Sequence, residues 1–311
     1  SEALGYLLCR VGGAVRRARW ASPTALVCNT TRAAAGEAVV EVSNNGREYT
    51  SGGVSVRLVS VRVQDVQPWS GPQLGSTVVS VRAAGTLPGA LLCRFGESAA
   101  VSTWSGGASR LRCVSTPSAV TGWVGVQLST LSGALSSGGS FYYHAPMQVS
   151  GVAPPLGPER GGTRVAVLGS GFRDAYTLRC RFDNASSAVL ARYVDEAQLE
   201  CVTPLHSLGA KAVLLSMNAQ QYSRGGDVRY TYQAAASVSS VSPTVAAAEG
   251  GTPVTVLGSG FSAASEALGY LLCRVGGAVR RARWASPTAL VCNTTRAAAG
   301  EAVVEVSNNG R

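Results

Sequence analysis

Eight cysteines, two histidines and three Asn-x-Ser/Thr triplets are the residues of this 311-residue chain whose types and spacing invite chemistry. The cysteines fall as Cys9 and Cys28, Cys93 and Cys113, Cys180 and Cys201, and Cys273 and Cys292, the two members of each pair standing a nearly constant distance apart in sequence. A zinc site asks for closely spaced pairs such as C-x2-C or for neighbouring histidines, and neither accompanies these cysteines. The pairs are therefore read as one disulfide per repeating unit. Such a bond is favoured in oxidising compartments, and by closing a loop of about 20 residues it would stabilise a small domain by roughly 3 kcal/mol.

The triplets Asn29-Thr30-Thr31, Asn184-Ala185-Ser186 and Asn293-Thr294-Thr295 match the N-glycosylation acceptor. Strand alternation turns Cys28 inward, so Asn29 is expected to face solvent, and Asn184 falls in an expected turn. Covalent glycans on Asn29, Asn184 and Asn293 are the expected modification, and the Ser/Thr-rich stretch 129–140 is a candidate for O-linked sugar. Catalysis finds little to work with. His144 and His206 occupy unrepeated positions, and no nucleophile motif accompanies them. Asp174, Asp183 and Asp195 lack the spacing of a calcium loop. No catalytic residue, cofactor or metal ion is expected. The run Val254–Ala263, VTVLGSGFSA, fits the G-x-G-x-x-A dinucleotide fingerprint. It is rejected because no helix start is expected after it, because LGYLLCR follows as a strand, and because a related GSGF stretch precedes it by one unit. Arg16, Arg17 and Arg19 could meet an acidic glycan or phosphate, but a solvated strand face accounts for them as well.

What positions these residues is repetition. Ser265–Arg311 repeats Ser1–Arg47 letter for letter, without one exception, so that one period runs from Ser1 to Ala264. The chain reads as a window on a longer array, one period plus an overlap. A long period kept without change suits a protein whose product is length, since each unit adds span and none needs chemistry of its own. Counting the six Arg and three Glu of the duplicated stretch only once lowers the net charge from +10 to +7. All but one of the 27 cations are Arg, and Ile is absent, which fits a GC-rich coding sequence better than a nucleic-acid surface. No run of about 18 apolar residues spans a membrane, so any anchor is expected outside this segment.

Within the period a weaker, nearly even repeat appears at Pro68, Pro154 and Pro243. A Gly-Gly pair follows at Gly161-Gly162 and Gly250-Gly251, with Gly75-Ser76 in its place after Pro68. Next comes a strand ending in Cys-Arg, then a turn at Gly12-Gly13, Gly96-Glu97-Ser98 or Asp183-Asn184. Leu26, Leu111, Leu199 and Leu290 each stand two places before the second cysteine, so Leu and Cys share a buried face while Val27, Arg112 and Glu200 point outward. Trp20, Trp104, Tyr193 and Trp284 stand eight or nine residues before that cysteine. They are read as packing residues, with an exposed stacking platform as the competing role. Gly, Val, Ser and Thr in short runs, with turns at intervals of roughly 8 to 12 residues, argue for an all-β chain of immunoglobulin-like sandwiches. The expected boundaries are 1–58 (the later strands of one unit), 59–146 and 147–233 (whole units), and 234–311 (a unit lacking its last strand). Joints of a few residues, such as Ala234–Ala236, imply beads on a semi-rigid rod.

At GGTRVAVLGSGF, GGTPVTVLGSGF, LLCRFG, LECVTP and the closing FYY and YTY strands the sequence resembles the IPT/TIG domains, along its whole length. Gly162, Thr163, Gly169, Gly171, Phe172, Cys180, Cys201, Thr203, Pro204 and Tyr232 match the family pattern, whereas the unit after Pro68 lacks the GSGF turn and Cys28 is followed by no Pro. The resemblance implies binding or scaffolding without catalysis, in receptor ectodomains, large surface proteins, some transcription factors and accessory modules of polysaccharide enzymes. Tandem arrays of these modules also resemble the backbone of glycan-coated surface fibrils. The expected function is thus the structural subunit of an extracellular, glycosylated fibre or stalk at a cell surface, with copies of itself and glycans as partners and no nucleic acid. A receptor or adhesin ectodomain is the alternative.

Overall fold

The computed structural model describes residues 5–30, 34–85, 91–104, 109–130, 133–183, 188–223 and 227–310; the side chains of residues 99, 101–104, 134 and 137 are outside the description. The described chain is built of β-strands with one short helix. It forms two compact units, residues 1–69, 74–118 and 122–142 in one and residues 70–73, 119–121 and 143–311 in the other.

The first unit opens with a five-stranded sheet in the order Ala25–Cys28, Ala14–Ser22, Leu8–Val11, Gly36–Ser43, Ser55–Leu58, antiparallel throughout. A sandwich follows. Val61–Gln67, Val78–Gly85 and Arg110–Val114 line up antiparallel in one layer, and Leu92–Phe95, Gly122–Thr130 and Gly139–His144 belong to the other. Strand Ser98–Trp104 serves both layers, pairing through Ser98–Val101 with Leu92–Phe95 and through Ser102–Trp104 with Leu111–Cys113. Alternation fills the interior with Val79, Val81, Cys93, Leu111, Cys113, Val126, Leu128 and Phe141, all fully buried. Each large apolar side chain so covered contributes about 1.5–3 kcal/mol over an exposed one.

The second unit holds two sandwiches. In the first of them Gln148–Ala153, Arg164–Ser170 and Gln198–Val202 pair antiparallel, and Arg179–Phe182, Gly209–Ser216 and Arg229–Gln233 do the same in the other layer. Val189–Asp195 crosses between the layers, and Leu156–Pro158 adds a parallel edge to Arg229–Gln233. Beyond it, Ser237–Ser242, Pro253–Ser259, Ala289–Asn293 and Arg283–Ser286 make a four-stranded sheet, and Ala278–Arg281, Leu272–Val275 and Val304–Ser307 a three-stranded one. Here the crossing strand breaks at buried Ala282, so the two layers separate cleanly. The fold is all-β, a tandem of immunoglobulin-like sandwiches.

The paired turn glycines have a shared physical cause. Gly75 and Ser76, Gly161 and Gly162, and Gly250 and Gly251 all adopt positive φ, which only glycine takes without strain. The first residue of each pair also lies against backbone: a Cβ on Gly75 would stand 2.7 Å from Thr116 and Pro117, and those on Gly161 and Gly250 would meet Pro204 and Thr295. The next threonine then locks the approach. Thr77, Thr163 and Thr252 each donate their amide to a hydroxyl two residues past the second cysteine, on Ser115, Thr203 and Thr294, at 3.1 Å in all three. The carbonyls of Thr77, Thr163 and Thr252 accept the amides of those same residues in return. The Gly-Gly-Thr and Cys-x-Thr signatures are thus two halves of one clasp.

The expectation that no helix starts after Gly258-Ser259-Gly260 is corrected. Helix Ala263–Ala267 follows, capped by Ser262, whose hydroxyl accepts the amide of Ser265. Ala-Ala-Ser-Glu-Ala contains good helix formers behind a favoured N-cap, and Glu266 in the first turn suits the helix dipole. One short turn carries no amphipathic period, which is why the pattern gave no warning. The glycines remain turn and contact residues, because a Cβ on Gly258 would overlap the carbonyl of Ser237 and the ring of Phe261.

Candidate functional site

The four cysteine pairs are bonded as Cys9–Cys28, Cys93–Cys113, Cys180–Cys201 and Cys273–Cys292. The last three each join the two layers of a sandwich beside the clasp. Asn29 and Asn293 are exposed, each next to a cysteine that its strand turns inward. Asn184 lies outside the described residues.

His144 is buried with Nδ1 2.8 Å from the carbonyl of Ala145, and burial holds its pKa below the usual histidine value. His206 stacks on Tyr232 with ring centroids 5.1 Å apart. Ser207 Oγ lies 3.3 Å from His206 Nδ1 and 3.1 Å from Lys211 Nζ, but this trio, two loop residues beside the start of the strand Gly209–Ser216, has no orienting carboxylate among these contacts. Among the described residues no three His, Cys, Asp or Glu are grouped to hold a metal ion. Nor does any described helix have the length and apolarity to cross a membrane. Arg16, Arg17 and Arg19 occupy the strand Ala14–Ser22 and are all exposed. Glu200 stands on the outward face of its strand, as expected, but its side chain is largely covered between Arg192 and Arg164, whose hydrogen bonds hold the carboxyl below the usual range.

Of the rings expected to pack, Trp284 is half-buried and its Nε1 donates to the carbonyl of Phe261 at 3.2 Å, whereas Trp20 is 51% exposed. Tyr193 is half-buried, and the side chain of Trp104 is outside the description.

A second set of rings, which the sequence pattern did not single out, forms the most distinctive surface. On the sandwich of the first unit Trp69 and Trp123 stack with centroids 5.6 Å apart and planes 23° from parallel. Tyr142 meets Trp123 edge-on at 5.3 Å and Trp69 at 6.5 Å. Trp123 is 62% exposed, while its two supports are half-buried. The backbone sets the trio: Tyr142 donates its amide to the carbonyl of Trp69, and Trp123 rides on Gly122–Thr130 with Val126 and Leu128 turned inward. Gly125 and Gln127 follow on the outward side. Gln127 stands opposite Arg94, and space beside Gly125 is open, with nothing within 4 Å of a built Cβ. The signal for this face was available in strict alternation. In Phe141-Tyr142-Tyr143 only the flanking rings can enter the core, which turns Tyr142 outward.

Among the described residues the other sheets do not repeat the face. Leu128 opposes Cys93 as Leu215 opposes Cys180, Val42 opposes Cys9 and Val306 opposes Cys273. Counting back five residues, Trp123 is level with Ala210, Glu37 and Glu301. The amide of Thr231 bonds the carbonyl of Pro155 just as Tyr142 bonds Trp69. Ala210 stands opposite Thr231, and Glu37 opposite Arg57. The three rings thus have Pro, Ala and Thr as counterparts in the next sandwich, and Trp123 and Tyr142 have the charged pair Glu37 and Arg57 in the opening five-stranded sheet.

The model of the IPT/TIG domain family matches residues 147–232 and 236–311. A search of curated proteins finds no match. Among solved structures, the full extracellular region of plexin A4 is similar at 15% identity with a TM-score of 0.46, over 94% of this chain and 31% of that one. Invasin, a bacterial integrin-binding protein, is similar at 10% identity and TM-score 0.27, over 96% of this chain and 68% of that one. The protein SGBP-B from a xyloglucan utilization locus of Bacteroides uniformis is similar at 11% identity and TM-score 0.28, over 81% and 95%. The chain spans about a third of the plexin region's length. No shared ligand follows from likeness at these levels.

Proposed function

Because the chain belongs to the IPT/TIG domain family, we propose that it is a structural and binding protein of the extracellular space or cell surface, and in its finer form the subunit of a glycosylated fibre or stalk built from long exact repeats of three such domains. The observation that carries this reading is the letter-for-letter recurrence of Ser1–Arg47 as Ser265–Arg311, which neither a single binding event nor a catalytic cycle requires. The joint within the second unit supports it. Only residues 234–236 separate the strands Arg229–Gln233 and Ser237–Ser242. Across that joint Asn309 Nδ2 donates to Thr163 Oγ1 at 2.8 Å, and Ser265 Oγ donates to Gln233 Oε1 at 3.4 Å. Asn308 Nδ2 donates to the carbonyl of Gly260 at 2.6 Å, which braces the loop that carries Asn309. A joint of three residues bridged by these side chains restricts how far one sandwich can turn against the next, which suits a load-carrying array.

Four disulfides suit an oxidising exterior. The exposed acceptors Asn29 and Asn293 suit a sugar coat that would keep strand edges from pairing sideways. Partners in this reading are further copies of the chain and covalent glycans, with no role for catalysis or nucleic acid. The domain boundaries that go with it are 1–58, 59–146, 147–233 and 234–311. Peptide mapping of non-reduced native protein together with glycopeptide mass spectrometry tests the reading. Bonded cysteine pairs and sugar on Asn29, Asn184 or Asn293 are expected; free thiols with bare asparagines throughout would contradict an extracellular scaffold.

A further inference from the structure

We infer that the face made by Trp69, Trp123 and Tyr142 binds carbohydrate, namely a neutral chain of pyranose rings whose hydroxyls lie equatorial and whose ring faces therefore carry only C–H groups. The inference is independent of the fibre reading, since it stands on one sandwich.

The fold itself has no need of these rings. The same backbone, with the same hydrogen bond from Tyr142 to Trp69, is made with Thr231 and Pro155 in the next sandwich, and Ala210 serves where Trp123 stands. Single exposed aromatics are ordinary on any surface, but three in mutual contact form a patch that asks for a partner. The outer indole is also held in place. Trp69, in the short bend between Val61–Gln67 and Ser70–Pro72, backs it by stacking, and Tyr142 fixes it edge-on from the strand Gly139–His144, so little side-chain entropy remains to be lost on binding.

The size and chemistry of the patch choose among ligand classes. Three rings of at most about 250 Å² each, two of them half-buried, offer on the order of 300 Å² of apolar surface. A stable protein partner needs about 800 Å² per side, so the patch falls well short. It is wide enough for one or two sugar rings. The indole's electron-rich face attracts the weakly positive C–H groups of a pyranose just as it attracts other positive edges. At the rim Gln127 and Arg94 stand opposite one another as amide and guanidinium, donors and acceptors suited to ring hydroxyls, and Ser140 is exposed on the strand that carries Tyr142. Gly125, with open space beyond it, keeps the floor between Trp123 and Gln127 low enough for a ring to lie flat. One such face per period gives each site weak affinity and lets an array bind by many sites together.

The test uses the 311-residue chain in native affinity electrophoresis through gels containing a soluble β-linked glucan or xylan, with fluorescence titration of tryptophan by the same polymers. Retardation of the parent chain is expected. Trp123→Ala should lose it by 10-fold or more in apparent affinity, Trp123→Phe by about 3-fold, and Trp20→Ala, which removes an exposed indole elsewhere, not at all. Circular dichroism and melting of Trp123→Ala should match the parent, because that side chain leaves the core untouched. Failure of the parent chain to be retarded or quenched by either polymer would overturn the inference. Retention of full binding by Trp123→Ala would overturn it equally, as would binding of a proline-rich peptide in place of both polysaccharides.

Discussion

Ser1–Arg47 and Ser265–Arg311 have the same sequence and different burial. Leu290 and Cys292 are fully covered, whereas Leu26 and Cys28 remain half-exposed; Asn308 is buried where Asn44 is exposed. Trp284 is half-buried and Trp20 is open. The difference lies in Pro253–Ser259, which pairs with Ala289–Asn293, and in Ser237–Ser242, which pairs with Pro253–Ser259; neither has a counterpart beside Ala25–Cys28 among the described residues. The strand pattern of the repeat is local. A small core of Leu7, Cys9 and Ala18 forms in the first copy, and in the second, where two more strands close over it, the core grows to include Val256, Phe261, Leu290 and Cys292.

That contrast can be broken at several points. Leu290→Ala should cost about 2–5 kcal/mol, the range for deleting a fully buried leucine, while Leu26→Ala should cost well under half as much; urea unfolding of the two variants compares them directly. Replacing Cys273 and Cys292 together by Ser should cost about 2–5 kcal/mol if the loop model holds, and less at Cys9 and Cys28, over which no strand of the described residues closes as a second layer. Thr294→Val removes the acceptor of the Thr252 amide and should cost about 1 kcal/mol. Thr30→Val, at the same repeat position but exposed, should be silent in the same melts. Equal losses in the paired variants would mean that the covering strands do not enlarge the core.

The smallest effect should be the same in both copies. Glu41 accepts from Arg10 at 2.6 Å and Glu305 from Arg274 at 2.6 Å, and each carboxyl lies below the ordinary range because its guanidinium partner donates to it. Because the folded values are depressed, each pair's contribution is present above the unfolded carboxyl range near pH 4 and fades as pH falls through the lower folded value. Glu41→Gln and Glu305→Gln should therefore each lower stability slightly at pH 7 and leave it unchanged in strong acid. A difference between the two copies would show that the covering strands reach these surface pairs.

Cysteine spacing, paired glycines and Leu-x-Cys alternation made the sandwiches legible in the sequence, because each records a local geometric demand repeated three or four times. Gly75-Ser76 could be placed as a degenerate Gly-Gly pair for that reason, and both residues do take positive φ. The helix Ala263–Ala267 escaped because one turn has no period and its start rests on a single serine. The aromatic face escaped for the opposite reason. It occurs once, so repetition could not reveal it, and it depends on Trp69, Trp123 and Tyr142 meeting from three separate segments. Glu200 was placed outward correctly by alternation, but the two arginines that cover it come from neighbouring strands and have no sequence spacing to announce them.

The claim that this chain builds length is tested most directly by electron microscopy of the native material. The account predicts long beaded filaments with an axial repeat of roughly 90–120 Å, the span of three compact domains of this size. Discrete short particles without that axial repeat would contradict it.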